Sequence, residues 1–291
     1  MREFTVRVSG GRTLQAVEDG DPRGRPVFSL HGTPGARMLY PKHVADAASQ
    51  GIRLIGYDRP GYGGSSALPG RRVVGAAADV AAIADHLRLD RFAVWGHSGG
   101  GAPALACAAA LPERVVAAAC LAGVAPYPAQ GIDWVAGMGE LNVDDFELML
   151  RDRAAWEAKL EKDRQEMLEV TADQLTVVFA SLLSEVDRAA FTPELGEFFL
   201  RQAREGLKDG THGVRDDNLS ETLPWGFDLG AIRPPVQLWH GRHDRFVPYS
   251  HGEWLASRLG RADVHLEPNE GHVSLYRNRI PEVHRWLVSH F

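Results

Sequence analysis

A series of short apolar runs, each ending in a turn that carries glycine, histidine or aspartate, constrains this chain most. Pro26–Leu30 ends at His31-Gly32, Arg53–Tyr57 at Asp58, and Phe92–Trp95 at Gly96. Val115–Ala122 ends at Gly123 and Val236–Trp239 at His240-Gly241, with Val264–Leu266 a last, weaker run. Several are apolar on both faces, as strands of a helix-covered parallel sheet must be. Between them Val74–Leu87, Gly99–Leu111, Ser250–Leu259 and Glu282–Phe291 carry apolar residues at helical spacing. Phe4–Val8 and Thr13–Glu18 alternate on either side of Gly10-Gly11, which predicts a β-hairpin. Alternating strand and helix signals predict a doubly wound α/β sheet.

The alternation stops near Tyr127 and resumes near Pro234. The stretch between contains long helical patterns, Asp144–Val170 and Glu194–Leu207, and few strand signals. Charge marks the same stretch. From Pro128 to Gly230 there are 22 Asp and Glu against 10 Lys and Arg, whereas the rest of the 291 residues holds 16 and 22. Such a step in charge indicates a separate structural unit, too long and too patterned for a linker. The expected division is a core of residues 1–127 and 231–291 interrupted by a helical cap, or lid, of residues 128–230. Nine of the cap's aromatics, Trp134 to Phe227 in chain order, are expected to form its own core, with a few walling an apolar pocket above the sheet.

The net charge of −6 argues against a nucleic-acid binder. The most apolar region, Ala102 to Pro126, is broken by Pro112, Glu113 and Arg114, too interrupted to span a bilayer. Cys107 and Cys120 lie in small apolar runs and read as core residues of a reducing compartment. The opening Met1-Arg-Glu-Phe-Thr-Val-Arg-Val lacks a signal peptide's apolar stretch. A cytoplasmic protein is the expectation.

Gly96-His97-Ser98-Gly99-Gly100 lies between a predicted strand and a predicted helix, the setting that gives G-x-S-x-G its meaning. A tight, strained turn there lifts Ser98 above the sheet edge, and glycines at 96 and 100 remove Cβ atoms that would collide. A serine hydroxyl is a weak nucleophile and needs a base held by an acid. Asp244, in Gly241-Arg242-His243-Asp244, follows one late strand, and His272, in Gly271-His272, sits on the loop after the next. All three groups then emerge at the carboxyl edge of one sheet, where open α/β folds bind ligands. The preceding strand end offers no carboxylate nearer than Asp133, so Asp244 is preferred. Directly after Pro26–Leu30, His31-Gly32-Thr33-Pro34-Gly35 can aim a backbone N–H at a tetrahedral oxyanion. The N–H groups of Thr33 and Gly99 are assigned to that role. His31, Gly32 and His97 are assigned to the substrate-binding wall, His97 as a packed neighbour rather than a second base. Asp58-Arg59-Pro60-Gly61-Tyr62-Gly63-Gly64-Ser65 reads as the pocket floor.

Taken in order, these motifs resemble the α/β-hydrolase family, in particular its cap-bearing serine hydrolases. The resemblance runs from about residue 4 to 291, with the cap unmatched. It implies a mostly parallel eight-stranded sheet with the cap inserted after strand 6, a Ser98–His272–Asp244 triad, and an oxyanion hole from Thr33 and Gly99. Epoxide hydrolases and dehalogenases of the family use an Asp nucleophile where this chain has Ser98, which disfavours both. Proline iminopeptidases resemble the His31 loop but usually have a second Gly at the Thr33 position, and Gln-Arg-Gly where this chain has Arg59-Pro60-Gly61.

The expectation is therefore a serine hydrolase that cleaves a carboxylic ester, less readily an amide, of a small apolar acyl compound through an acyl-enzyme. Its alternatives are a proline iminopeptidase-like aminopeptidase, in which a cap carboxylate such as Asp144, Asp145 or Glu147 holds a substrate ammonium, and a non-catalytic ligand-binding protein of the same fold. The partner expected is a small-molecule substrate, with no nucleic acid, no membrane insertion, and homo-oligomerisation left open. No cofactor is expected. No metal is expected either: His240 and His243 form a His-x-x-His pair, but on a strand-to-loop segment that spacing does not converge two rings.

Overall fold

The computed structural model describes residues 1–291. Its centre is an eight-stranded sheet: β1 (Arg2–Arg7), β2 (Thr13–Gly20), β3 (Arg25–Leu30), β4 (Ile52–Tyr57), β5 (Phe92–His97), β6 (Val115–Leu121), β7 (Val236–Gly241) and β8 (Ala262–Glu267). The spatial order is β1-β2-β4-β3-β5-β6-β7-β8. The first two strands pair antiparallel, β2 runs antiparallel to β4, and the remaining pairings are parallel. This is the doubly wound, mostly parallel sheet that the strand signals predict.

The central strands are buried on both faces because alternate residues serve two different layers. On one face Val27, Leu54, Ala93, Trp95 and Leu121 pack with α1 (Pro41–Ser49) and α11 (His272–Val288). On the other, Phe28, Ile55, Phe92, Val94 and Ala118 pack with α2 (Gly75–His86) and α3 (Gly101–Ala110). Helix α10 (Tyr249–Arg258) packs against β7 and β8. No helix is long and apolar enough to cross a membrane.

Two boundaries differ from the sequence reading. The last helix begins at His272, not near Glu282, and runs through Pro281. A proline inside a helix costs about 3 kcal/mol. Here Val273, Ile280, Val283 and Leu287, all fully buried in the core beneath the sheet, outweigh it. His272 is thus the first residue of a helix rather than a loop residue. The long pattern Asp144–Val170 is likewise two helices, α4 (Glu140–Arg151) and α5 (Arg153–Glu169), because Asp152 leaves helical geometry and caps the second by accepting from Ala155 N–H.

Between β6 and β7 the chain continues through α6 (Leu175–Val178), α7 (Glu185–Ala190), α8 (Pro193–Leu207) and α9 (His212–Glu221). This helical segment has a small cluster of its own, Met149, Trp156, Leu160, Leu207 and Val214, but most of its aromatics pack elsewhere. Phe179, Phe191, Phe198 and Phe199 pack into the cluster that holds Trp95 and Tyr276, while Trp134, Trp225 and Phe227 join Leu238 and Leu255. The expectation of a separate aromatic core is therefore corrected. The segment lies directly on the sheet domain, so burying its aromatics requires docking.

Candidate active site

Each candidate side chain lies within five residues of the end of a parallel strand. Ser98 follows β5 and opens one turn of 3₁₀ helix ahead of α3. Its φ of +56° lies in the left-handed region, a strain of about 1 to 3 kcal/mol for a side-chain-bearing residue. The turn is sterically closed, because a Cβ at Gly96 would strike the Gly100 carbonyl. A Cβ at Gly99 would lie 3.3 Å from the Thr33 nitrogen, so the two residues assigned to the oxyanion role stand side by side. The Thr33 N–H makes no hydrogen bond within the protein.

Asp244 lies in the turn after β7. Its Oδ1 accepts from the N–H groups of Phe246 at 2.9 Å and Val247 at 2.8 Å. Oδ2 is left for the His272 ring, whose Nδ1–H donates to it at 2.7 Å. In the neutral ring that bond places the proton on Nδ1 and leaves the Nε2 lone pair free, as a general base requires. The imidazole is stacked on Phe246, with centroids 4.5 Å apart and planes 18° from parallel. Both His272 and Asp244 are buried. The structure brings Ser98 and His272 onto the wall of one cavity.

The three residues assigned to the binding wall all line that cavity, but each is engaged elsewhere. His97 donates from Nε2 to the His272 carbonyl at 3.0 Å. Burial, with His272 as neighbour, holds its pKa well below the ordinary value, so it is a neutral strut. His31 donates from Nδ1 to the Gly32 carbonyl at 2.7 Å and accepts the Arg59 N–H at Nε2. Burial and the Arg59 charge keep it neutral too. His240 is buried and donates to the Val247 carbonyl at 2.8 Å, while His243 is exposed. No group of three or more His, Cys, Asp or Glu gathers in a form that could hold a metal.

The Asp58–Ser65 turn does not floor the pocket; neither Arg59 nor Tyr62 reaches the cavities around Ser98. Tyr62 packs under the helical segment with Trp156, Leu160 and Leu207. Arg59 points back to the Thr33 loop, donating to the His31 and Gly32 carbonyls and to Thr33 Oγ1. Its charge is met by Asp217, on α9, at 2.6 Å. Asp217 also accepts from Tyr62 Oη at 2.6 Å, from Arg71, and from Thr33 Oγ1 at 2.8 Å. Burial alone would raise the Asp217 carboxyl, but Arg59 and Arg71 hold it well below the usual carboxylate range.

Two cavities flank Ser98. The smaller, about 130 Å³, is walled by Trp95, Phe191, Phe199, Ala203 and Tyr276. The larger, about 930 Å³, opens beneath α4, α5 and α9 and carries Asp145, Asp163, Glu166, Glu169 and Glu221. Asp145 shares Lys159 with Asp163. Arg164, the one arginine on this wall, donates to the Leu207 and Lys208 carbonyls and to Glu161. Of the carboxylates named from sequence, Asp145 lines the cavity, while Asp144 and Glu147 face solvent. Glu221, which sequence reasoning missed, faces the cavity. Burial and the charge of Asp217 push its carboxyl up to about 8.

The chain is similar to known proteins over most of its length. The chain is 28% identical over 266 residues to the AB hydrolase superfamily protein YisY of Bacillus subtilis, covering 88% of each. It is 30% identical over 261 residues to the 2-hydroxy-6-oxo-6-phenylhexa-2,4-dienoate hydrolase of Burkholderia cepacia, covering 86% of this chain and 82% of that protein. A thermophilic esterase from Thermogutta terrifontis superposes over all of both chains with a TM-score of 0.70 at 21% identity, a likeness of fold. Residues 25–278 match the family described as alpha/beta hydrolase fold, and the chain belongs to that family of enzymes.

Proposed function

We propose that this chain is a serine hydrolase that cleaves carboxylic esters of small apolar acids through an acyl-enzyme. Ser98 attacks the acyl carbonyl, and His272 Nε2 takes its proton and returns it to the departing alcohol. Asp244 holds the imidazole and stabilises its charged form. The N–H groups of Thr33 and Gly99 receive the oxyanion. Water, deprotonated by the same histidine, then releases the acid. The helical segment is the cap that encloses the reaction. The observation that carries this reading is the His272 Nδ1–H donated to Asp244 at 2.7 Å, on a ring that shares its cavity with a serine held at positive φ.

The two cavities support a small apolar acyl group as the substrate class. A space of about 130 Å³ walled by aromatic rings is close in size to an apolar cavity of about 150 Å³ that accepts benzene, so acyl groups up to about one ring fit. Dienoate substrates, as the Burkholderia cepacia relative's name specifies, bring a carboxylate. Here the only arginine on the wall is already engaged and the rest of its charge is negative. That disfavours an anionic dienoate. The aminopeptidase alternative has Glu221 on its side, a carboxyl on the cavity with no hydrogen bond from its side chain to protein. A kinetic panel of p-nitrophenyl acetate, butyrate, hexanoate and benzoate beside prolyl and alanyl anilides separates the readings. Turnover of esters alone supports the proposal; turnover of anilides alone reverses it.

A further inference from the structure

We infer that Asp187, carried by α7 of the helical segment, is a positioning residue for His272. Helix α11 begins at His272, so the first N–H groups of that helix have no partner within it. An N-cap side chain normally accepts one of them, but the N-cap here is Gly271, which has none. Asp187 takes the place. Its Oδ2 accepts from His272 N–H at 3.1 Å, and its Oδ1 from Val273 N–H at 2.8 Å and Ser274 N–H at 3.0 Å. Ser184 Oγ donates to Oδ2 at 2.9 Å and steadies it. The carboxylate is 0% exposed and forms no ion pair with any side chain. Its charge is met by the helix terminus, where free N–H groups and the dipole favour an anion. The glycine is part of the fit, since a Cβ at 271 would run into the Asp187 carboxylate.

His272 is thereby held at four points. Its ring is fixed by Asp244 and Phe246, from the turn after β7, and its carbonyl by His97 at the end of β5. Its backbone nitrogen is fixed from the helical segment. Any movement of α7 away from the sheet therefore unseats the base, so enclosure of the cavity and competence of His272 are one event. Charge acts in the same direction. The positive end of α11 disfavours an imidazolium at its first residue, and Asp187 offsets it. The other groups facing the imidazole are Asp244, the neutral His97, and His240 behind Asp244.

This inference rests on the serine-hydrolase reading, and the test separates the two. Asp187→Asn turns an NH₂ or a single oxygen toward three N–H donors that now share two oxygens, and removes the charge. On a p-nitrophenyl ester kcat should fall about 10- to 100-fold, the scale of a displaced catalytic group, with KM nearly unchanged. The acid limb of the kcat/KM profile should move to lower pH, because the imidazolium loses a nearby anion. A merely structural carboxylate would lower the melting temperature and leave the limb in place, and that result overturns the inference. Should Asp187→Asn fail to fold, Ser184→Ala, which leaves the three backbone bonds, carries the test: a several-fold loss in kcat with a shifted limb supports it, and wild-type kinetics overturn it. Ser98→Ala is measured beside them. An inert Ser98→Ala with a wild-type Asp187→Asn defeats this inference alone, and an active Ser98→Ala defeats the hydrolase reading and the inference with it.

Discussion

Thr33 Oγ1 donates to Asp217 Oδ2 at 2.8 Å, which ties the loop assigned to the oxyanion to a helix of the inserted segment. Arg59 braces the same loop from the sheet side and is itself neutralised by Asp217. The loop is thus held from above and below by one buried carboxylate.

Asp217→Asn should unfold more easily than wild type by about 3 to 5 kcal/mol, since it leaves Arg59 and Arg71 buried without their counter-charge. Urea unfolding at neutral pH measures this, and a midpoint equal to wild type would refute it. The pH dependence has a definite sign. A carboxyl held below its unfolded value of 3.8 contributes fully above that value and progressively less as pH falls below it. The stability gap between wild type and variant should therefore narrow in acid below pH 3.8.

Ser98→Ala should lose roughly four to six orders of magnitude in kcat while keeping the wild-type circular dichroism, because alanine fits the same sterically closed turn. A fluorophosphonate should label Ser98 and no other residue. Labelling found elsewhere by peptide mapping would move the nucleophile.

The candidates Ser98, Asp244 and His272 could be picked out in the sequence because each falls within six residues of the end of an apolar run. A parallel sheet sends every such end to the same edge. Asp187, Asp217 and Glu221 were not legible for the opposite reason. They lie on short helices among 22 acidic residues, and a helical pattern does not tell a carboxylate facing water from one turned inward. The excess of acid was visible, but its function depends on docking across the sheet. Pro281 misled in the same way, since local propensity marks a helix start there and only the buried face of α11 reveals continuity.

Glu221 should make the protein less stable as pH rises. Its carboxyl is pushed up to about 8, by burial first and by Asp217 second, against 4.5 for the free group. Between these values the folded protein keeps a proton that the unfolded chain has released, so stability falls with rising pH. Denaturation midpoints between pH 5 and 8.5 should decline in wild type and decline less in Glu221→Gln. Parallel slopes in the two proteins would contradict a raised carboxyl.

Phe199 should set the length of acyl chain accepted. It stands on α8, half-buried, with its ring 5.5 Å from Tyr276 and 6.0 Å from Phe191, and closes the smaller cavity beside Ser98. Phe199→Ala opens that end. Removal of a fully buried Phe costs about 3 to 5 kcal/mol, and the half-exposed ring here should cost less, so the variant should fold. Its kcat/KM for p-nitrophenyl octanoate should rise relative to acetate, since a longer chain regains the contacts that the ring made. Ala203→Leu, one turn along the same face of α8 and on the wall of the same cavity, should have the reverse effect and favour acetate. If neither substitution changes the chain-length profile, the acyl group occupies the cavity of about 930 Å³ instead, and the leaving alcohol must then be the part that meets Phe199.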